Sequence, residues 1–345
     1  MMTHQSTMTA AQMLGPQRGC VTDKAVPSVG PLDVLIEVRR AGICGTDIHI
    51  WRGEYALARF PMVPGHEFSG VVTAVGDEVV RVRVGDRVTA DPNIPCGRCL
   101  ECQRNAFNQC LGLSVVGVTR DGAFARYVAV PESVTFPIGD ISFADGALIE
   151  PLACVVWGLK QVAIEPGDSM LLFGAGPMGC LLMQAARTAG AVSITVVETS
   201  ASRLAQARAL GATHALTPAE LTAEFCRDAA PNGFDIVTDV TGVPAVIEST
   251  MQYVRPQGKI WVFGVAPDTA TIAISPYAIF RKDIKIIGSF ALNKTFSEAI
   301  ALIRYGAVKV APLVSHSFPI HDFHEGLRVA EHDPNRMKVQ FVLSD

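Results

Sequence analysis

The distribution of apolar and polar positions changes character near residue 155. Before it, short β-branched runs at residues 34–38, 68–75, 86–90 and 124–130 are punctuated by Gly76, Gly85 and Pro131. Brief strands separated by glycine turns predict a compact, β-rich, barrel-like domain. After it, apolar strands at 169–173, 194–197, 234–240 and 259–264 alternate with helical stretches at 178–189 and 202–210, the second ending at Gly211. Such alternation predicts right-handed βαβ units and a doubly wound parallel sheet. A helix at 296–305 is expected to lead back towards the first domain. The expected class is therefore α/β, with domains at 1–154 (completed by 296–345) and 155–295.

Composition narrows the function classes. The chain has 345 residues, 49% hydrophobic and 18% charged, with a net charge of −4. That excludes extensive disorder and gives no basic face for nucleic acid. No apolar run approaches the roughly 18 to 20 residues of a membrane span. The polar start, residues 1–11, lacks the layout of a signal peptide, so a cytoplasmic protein is expected. In a reducing compartment, nine cysteines point to metal binding rather than to a disulfide framework. Cys20, Cys154, Cys180 and Cys226 have no ligand spacing and are expected as ordinary small buried residues.

Three local patterns carry chemistry. Cys96, Cys99, Cys102 and Cys110 are separated by two, two and seven residues. Four thiolates at this spacing can close a tetrahedron around one zinc ion and leave no open position, which is a structural role. An iron–sulfur cluster shares the first gaps, but the last gap is long and no proline follows Cys110. Gly65-His66-Glu67, with Cys44 upstream in Cys44-Gly45-Thr46-Asp47, supplies Cys, His and carboxylate ligands for a second, catalytic metal with a position left for water. Gly174-Ala175-Gly176-Pro177-Met178-Gly179 follows an apolar strand and opens a helix, the setting in which backbone N–H groups cradle a pyrophosphate. Glu198 ends the next strand. A carboxylate there accepts hydrogen bonds from the adenosine ribose and repels a 2′-phosphate, and with little compensating cation expected nearby this favours NAD over NADP.

Taken together, these motifs resemble the zinc-containing medium-chain alcohol dehydrogenases. The run Gly65-His66-Glu67-x-x-Gly70-x5-Gly76-x-x-Val79 is similar to that family's zinc signature, and the resemblance covers essentially the whole chain. It implies a GroES-like catalytic domain formed by both ends of the chain, with a Rossmann cofactor domain between them. Cys44 and His66 then match catalytic zinc ligands, and Glu67 the neighbouring carboxylate that ligates zinc in many resting members. Thr46 and His49 match a proton relay, Glu198 the ribose-binding acid, and Arg203 a residue packing on the adenine; a solvated helix arginine is the plain alternative for Arg203. Val265 is expected to line the nicotinamide pocket, and Ser289 to belong to the cofactor site.

Glu150-Pro151 stands where the ethanol-oxidising branch keeps a cysteine, which is similar to sorbitol and other polyol dehydrogenases; Gly288-Ser289-Phe290 departs from sorbitol dehydrogenases themselves. The resemblance therefore implies a zinc- and NAD-dependent oxidation of a secondary alcohol, a polyol above all, to a ketone. A threonine 3-dehydrogenase-like enzyme is the alternative substrate reading. A non-catalytic NAD-binding sensor and a zinc-free enone reductase are rivals of other kinds, and the retained Cys44, Thr46, His66 and cysteine cluster argue against both. The family also implies a homo-oligomer, a dimer or tetramer, with no nucleic-acid or membrane partner.

Overall fold

The structure, a computed structural model, describes residues 7–344; residues 1–6 of the polar start, and residue 345, lie outside them. In chain order the strands are β1 Thr7–Gly15, β2 Arg18–Ala25, β3 Asp33–Gly42, β4 Glu67–Val75, β5 Arg87–Ala90, β6 Asn93–Ile94, β7 Ser114–Val115, β8 Tyr127–Pro131 and β9 Thr135–Pro137. They continue as β10 Ser169–Phe173, β11 Ser193–Val197, β12 His214–Leu216, β13 Phe234–Asp239, β14 Val254–Val262, β15 Lys285–Gly288, β16 Val314–Pro319 and β17 Lys338–Val342. The chain divides into two compact units, one of Met1–Ala153, Phe296–Arg304 and Val310–Asp345, the other of Cys154–Thr295 and Tyr305–Lys309. Among the described residues no helix is long and apolar enough to cross a membrane.

In the first unit, β3 organises a seven-stranded sheet, six strands in the order β16-β17-β3-β4-β5-β9 and β8 branching from β3. One edge of β3 is shared: β8 pairs with Asp33 to Glu37 and β17 with Arg40 to Gly42. The other edge pairs antiparallel with β4, with a register shift between Val38 and Arg40. Alternation along β3 sends Val34, Ile36 and Val38 into the core, where they are fully buried. Phe68, Phe124, Phe323 and Phe341 fill that core, and Phe124 meets Phe341 edge to face at 4.9 Å between centroids. Each such ring contributes about 1.5–3 kcal/mol by burial.

One expected strand is shorter than its apolar run. The run at 124–130 becomes strand only from Tyr127. Its first residues spend their backbone groups on scattered neighbours: Phe124 N–H donates to Pro64, Ala11 N–H donates to the Phe124 carbonyl, and Arg126 N–H donates to Thr9. An apolar pattern marks burial, and here burial arises without a continuous ladder.

The second unit holds a six-stranded parallel sheet of order β12-β11-β10-β13-β14-β15. The order reverses on either side of β10, the arrangement in which ligands bind beyond the carboxyl ends of the strands. Leu171, Val237 and Ile260 are buried within it. β14 begins five residues before the apolar run that foretold it. Pro256 and Gly258 interrupt the pattern, and the β13–β14 register shifts between Phe234 and Ile236. Of the four cysteines expected to be buried, only Cys180 is; Cys20, Cys154 and Cys226 are half-buried. Cys20 lies on β2, which pairs with β1 alone in a two-stranded sheet and has no buried residue along its length.

Candidate metal and cofactor sites

Asp47 assembles the first cluster. Cys44 is the N-cap of the helix Gly45–Arg52, and its N–H donates to Asp47 Oδ2 at 2.8 Å, an acid satisfying an open helix-start donor. The other oxygen of Asp47 accepts the Gly65 N–H at 3.2 Å. One fully buried carboxylate thus ties the start of the helix to the turn before His66 and Glu67, the latter opening β4. Donor atoms of Cys44, His66 and Glu67 consequently lie within 4.8 Å of one another. Gly42 faces Glu67 across the β3–β4 ladder, and a Cβ there would collide with the Glu67 carboxylate.

The chemistry of this set fits a metal ion. His66 Nδ1 is buried without a hydrogen-bond partner, and Asp47 Oδ1 is 3.8 Å from it, beyond hydrogen-bond range. Burial alone would depress the His66 imidazolium; Cys44 and Asp47 outweigh it and hold the ring well above its ordinary range. Burial raises the Asp47 carboxyl, although His66 opposes it. These directions describe a buried site built with excess negative charge, for which a cation is the natural complement.

Glu150 stands outside the three-residue group. It lies in the first turn of the helix Ile149–Val162, only 7% exposed, and its charge acts on His66. Thr46 Oγ1 is 3.7 Å from Cys44 Sγ. His49, one turn further along the helix, is part-exposed, and its Nδ1 is 2.8 Å from Glu54 Oε2.

Two charged residues at this site have no local signal in the sequence. Lys338 Nζ on β17 lies 2.7 Å from both Glu67 oxygens and donates to the Ile43 carbonyl at 3.3 Å. Burial alone would lower the Lys338 ammonium; Glu67 and Cys44 outweigh it and raise it. Asp91, just after β5, is pushed up to about 7 by burial, with the Asn93 N–H opposing and Glu150 reinforcing the shift. Only the sheet pairing brings Lys338 to Glu67, some 270 positions away; the alternation in Lys338-Val339-Gln340-Phe341 hints that Lys338 takes the face opposite the buried aromatic.

The cysteine cluster occupies the lobe closed by β6 and β7. Sulfurs of Cys96, Cys99, Cys102 and Cys110 all lie within 4.8 Å of one another, with Cys99 at 3.5 Å from Cys102 and 3.8 Å from Cys110. The Cys96 N–H donates to Cys110 Sγ at 3.2 Å. Backbone N–H groups of Cys102 and Leu111 pull the Cys99 thiol down to about 6, whereas burial and then its sulfur neighbours push Cys102 up to about 12. Four sulfurs gathered in so small a space are the donor set of a closed zinc site, whose cation would hold all four as thiolates.

In the second unit, β10 runs into Gly174, whose φ of +102° is left-handed, and Gly176 caps the helix Pro177–Ala189 with Pro177 at its first position. A Cβ on Gly176 would enter open space, whereas one on Gly179 would strike the Gly174 carbonyl. The helix start, running through Met178, therefore presents its N–H groups to an uncluttered cradle of the kind a pyrophosphate fills. Glu198 Oε2 accepts the Ala175 N–H at 2.9 Å, and Oε1 accepts from the N–H groups of Thr199 and Ser200 and from the Thr199 hydroxyl. Burial would raise this carboxyl, but those donors outweigh it and hold it low.

The expectation of little cationic compensation fails, because Arg203 Nη1 stands 3.9 Å from Glu198 Oε2. Glu198 directly follows β11 and Arg203 lies in the first turn of the helix Ala201–Ala209, so the short turn between them brings the two side chains together, a proximity that composition alone did not reveal. Val265 is 83% exposed on the loop after β14, and the Ser289 hydroxyl is engaged by the Trp261 indole N–H at 3.1 Å. Asp239, fully buried at the end of β13, accepts the N–H groups of Thr241 and Gly242; it too was not singled out in the sequence.

Similar proteins carry the same architecture. The family model of the alcohol dehydrogenase GroES-like domain matches residues 30–140, and that of zinc-binding dehydrogenases matches residues 177–304. D-altritol 5-dehydrogenase of Agrobacterium fabrum is 36% identical over 97% of this chain and 99% of its own length. D-arabinitol dehydrogenase 1 of Uromyces fabae is 34% identical over 94% of each. A zinc-binding dehydrogenase of Sinorhizobium meliloti 1021, solved bound to NADP, superposes with a TM-score of 0.92 at 31% identity, over 98% of this chain and all of that one.

Proposed function

The chain belongs to the zinc-binding alcohol dehydrogenase family, and from that premise we propose that it oxidises a polyhydroxylated secondary alcohol to a ketone with NAD as hydride acceptor. The observation that carries this reading is the buried carboxylate of Glu150 beside the Cys44, His66 and Glu67 cluster. A carboxylate there leaves oxygen acceptors that a second hydroxyl of a vicinal diol can use and a plain alkanol cannot. The likeness to altritol and arabinitol dehydrogenases supports the same class.

Cys44 and His66 would hold the catalytic zinc, with Glu67 and Glu150 as its carboxylate partners, and the four cysteines 96, 99, 102 and 110 the structural one. Zinc, when bound, supplies a Lewis acid that eases deprotonation of the alcohol, and NAD accepts the hydride. The chain's own groups handle the proton. Thr46 and His49 lie three residues apart on the helix Gly45–Arg52, and in this reading the Thr46 hydroxyl hands the proton towards His49, whose part-exposed ring returns it to water. The N–H groups of the Gly174 to Gly179 turn take the pyrophosphate, and Glu198 takes the ribose hydroxyls. The balance is one alcohol and one NAD⁺ giving one ketone, one NADH and one proton.

Two further assignments belong to this reading. The protein is a homo-oligomer, supported by β15 at the edge of its sheet with Ile286 exposed, and by exposed Tyr277, Phe280 and Phe290 around it in sequence. It works in the cytoplasm, where the zinc-ligand thiols stay reduced. The test is a panel of polyols, threonine and simple alkanols with NAD, read by absorbance of the reduced cofactor. The highest kcat/KM should fall on a polyol; a threonine optimum would move the assignment to the other branch.

A further inference from the structure

His49 and Glu54 form a pair that helical spacing alone does not provide, since residues five apart are not neighbours on a helix face. The chain makes it by ending the helix abruptly. Gly53 takes a left-handed conformation with φ of 79°, its N–H donates to Ile50, and the Glu54 N–H turns back to the His49 carbonyl at 2.9 Å. A side chain at Gly53 would meet the ring of Pro16 as well as the backbone penalty. The turn is pinned a second time where the Gln17 N–H donates to the Trp51 carbonyl at 2.7 Å. Glu54 is thereby folded onto the last helical turn, with Oε2 at 2.8 Å from His49 Nδ1. The other charges near it are Arg52, 3.9 Å from the same oxygen and itself held by Glu331 at 2.7 Å, and His332, 3.5 Å from Glu331.

An ionised carboxylate only accepts hydrogen bonds. The Glu54 contact therefore requires the hydrogen of a neutral His49 ring to sit on Nδ1, which leaves the lone pair on Nε2. Resting on the proton-relay reading of Thr46 and His49 given above, we propose that Glu54 is a positioning residue that fixes the His49 tautomer, keeping Nε2 as the atom that takes the substrate proton. In each turnover Nε2 gains one proton by way of Thr46, the imidazolium is held between that proton and Glu54, and Nε2 then releases the proton to water. Without Glu54 the ring divides between tautomers, and the one protonated on Nε2 cannot accept.

The experiment compares Glu54→Ala, Glu54→Gln, His49→Gln and the Glu54→Ala/His49→Gln double variant as zinc-loaded enzymes, by the pre-steady-state rate of NADH formation and its solvent deuterium isotope effect. A glutamine carbonyl still accepts from Nδ1, so Glu54→Gln should stay within about twofold of the parent. Glu54→Ala should slow by roughly threefold to tenfold with a larger isotope effect, the scale of losing one net hydrogen bond, and with KM for NAD unchanged. In the His49→Gln background, removing Glu54 should cost nothing more. A slow His49→Gln with a Glu54→Ala of parental rate overturns the proposal alone. So does an equal loss from Glu54→Ala in both backgrounds. A His49→Gln of parental rate overturns the relay itself, and the proposal with it.

Discussion

Lys338 Nζ lies 2.7 Å from each carboxylate oxygen of Glu67, and both side chains are buried. The pair joins the last strand of the chain to the strand that carries the metal-binding motif. Two charges withdrawn from water are held by mutual attraction, so removing one strands the other. Lys338→Met should therefore lower stability by about 3 kcal/mol in zinc-free protein. Zinc at the Cys44 and His66 site would give Glu67 another cation, so the loss should shrink in zinc-loaded protein. Denaturant unfolding with and without zinc measures both; equal losses in the two states would show that Glu67 gains nothing from the metal.

Glu150 distinguishes a functional carboxylate from one that merely favours a helix start. Glu150→Ala should lower kcat/KM for the polyol well over tenfold, more than about 1.4 kcal/mol in the barrier, while the melting temperature stays nearly unchanged. A small stability loss with normal turnover would assign it to the helix alone.

The four-cysteine cluster should bind one zinc whose loss is felt by the fold rather than by substrate affinity. Cys99→Ser should lower zinc content by one equivalent and reduce the melting temperature, because binding at such a site is coupled to folding. KM for the alcohol should hold in whatever protein remains folded. Full zinc content in the variant, or an iron–sulfur absorption band in the parent, would contradict this assignment.

How much of this was legible in the sequence follows from how local each signal is. The cysteine cluster, the His66-Glu67 pair and the glycine turn are short-range patterns, so spacing alone identified them. Glu150 was found only through resemblance, since nothing within ten residues of it looks like a metal site. Lys338 was missed because Glu67 is distant in the chain and meets it only through the β17–β3 and β3–β4 pairings; Asp91 was missed because the Glu150 charge that acts on it is likewise remote in sequence. The strand expected from residue 124 failed for a related reason: apolar residues there are buried by several neighbours in turn rather than by one ladder. Arg203 was seen, but its closeness to Glu198 was not.

That closeness sharpens the cofactor prediction. Glu198 should give NAD a clear advantage, because its carboxylate takes ribose hydroxyls and opposes a phosphate. Arg203, 3.9 Å from that carboxylate, is placed to meet a 2′-phosphate once the carboxylate is gone. Glu198→Ala should narrow the NAD to NADP ratio of kcat/KM by about tenfold or more, roughly the 1.4 kcal/mol of one lost charge repulsion, and adding Arg203→Ala should remove the NADP gain. Equal use of both cofactors by the parent enzyme would sink the assignment to Glu198.

The central claim is that polyol oxidation occurs at a zinc centre built from Cys44, His66 and neighbouring carboxylates. It is tested most directly by stripping the protein of metal under conditions that leave the cysteine cluster loaded, then titrating zinc back while following polyol-dependent NADH formation. Activity should be negligible at one zinc per chain and rise linearly to saturate at two, with Cys44→Ser failing to recover at any zinc concentration. Activity that is complete at one zinc per chain, or that Cys44→Ser retains, would contradict it.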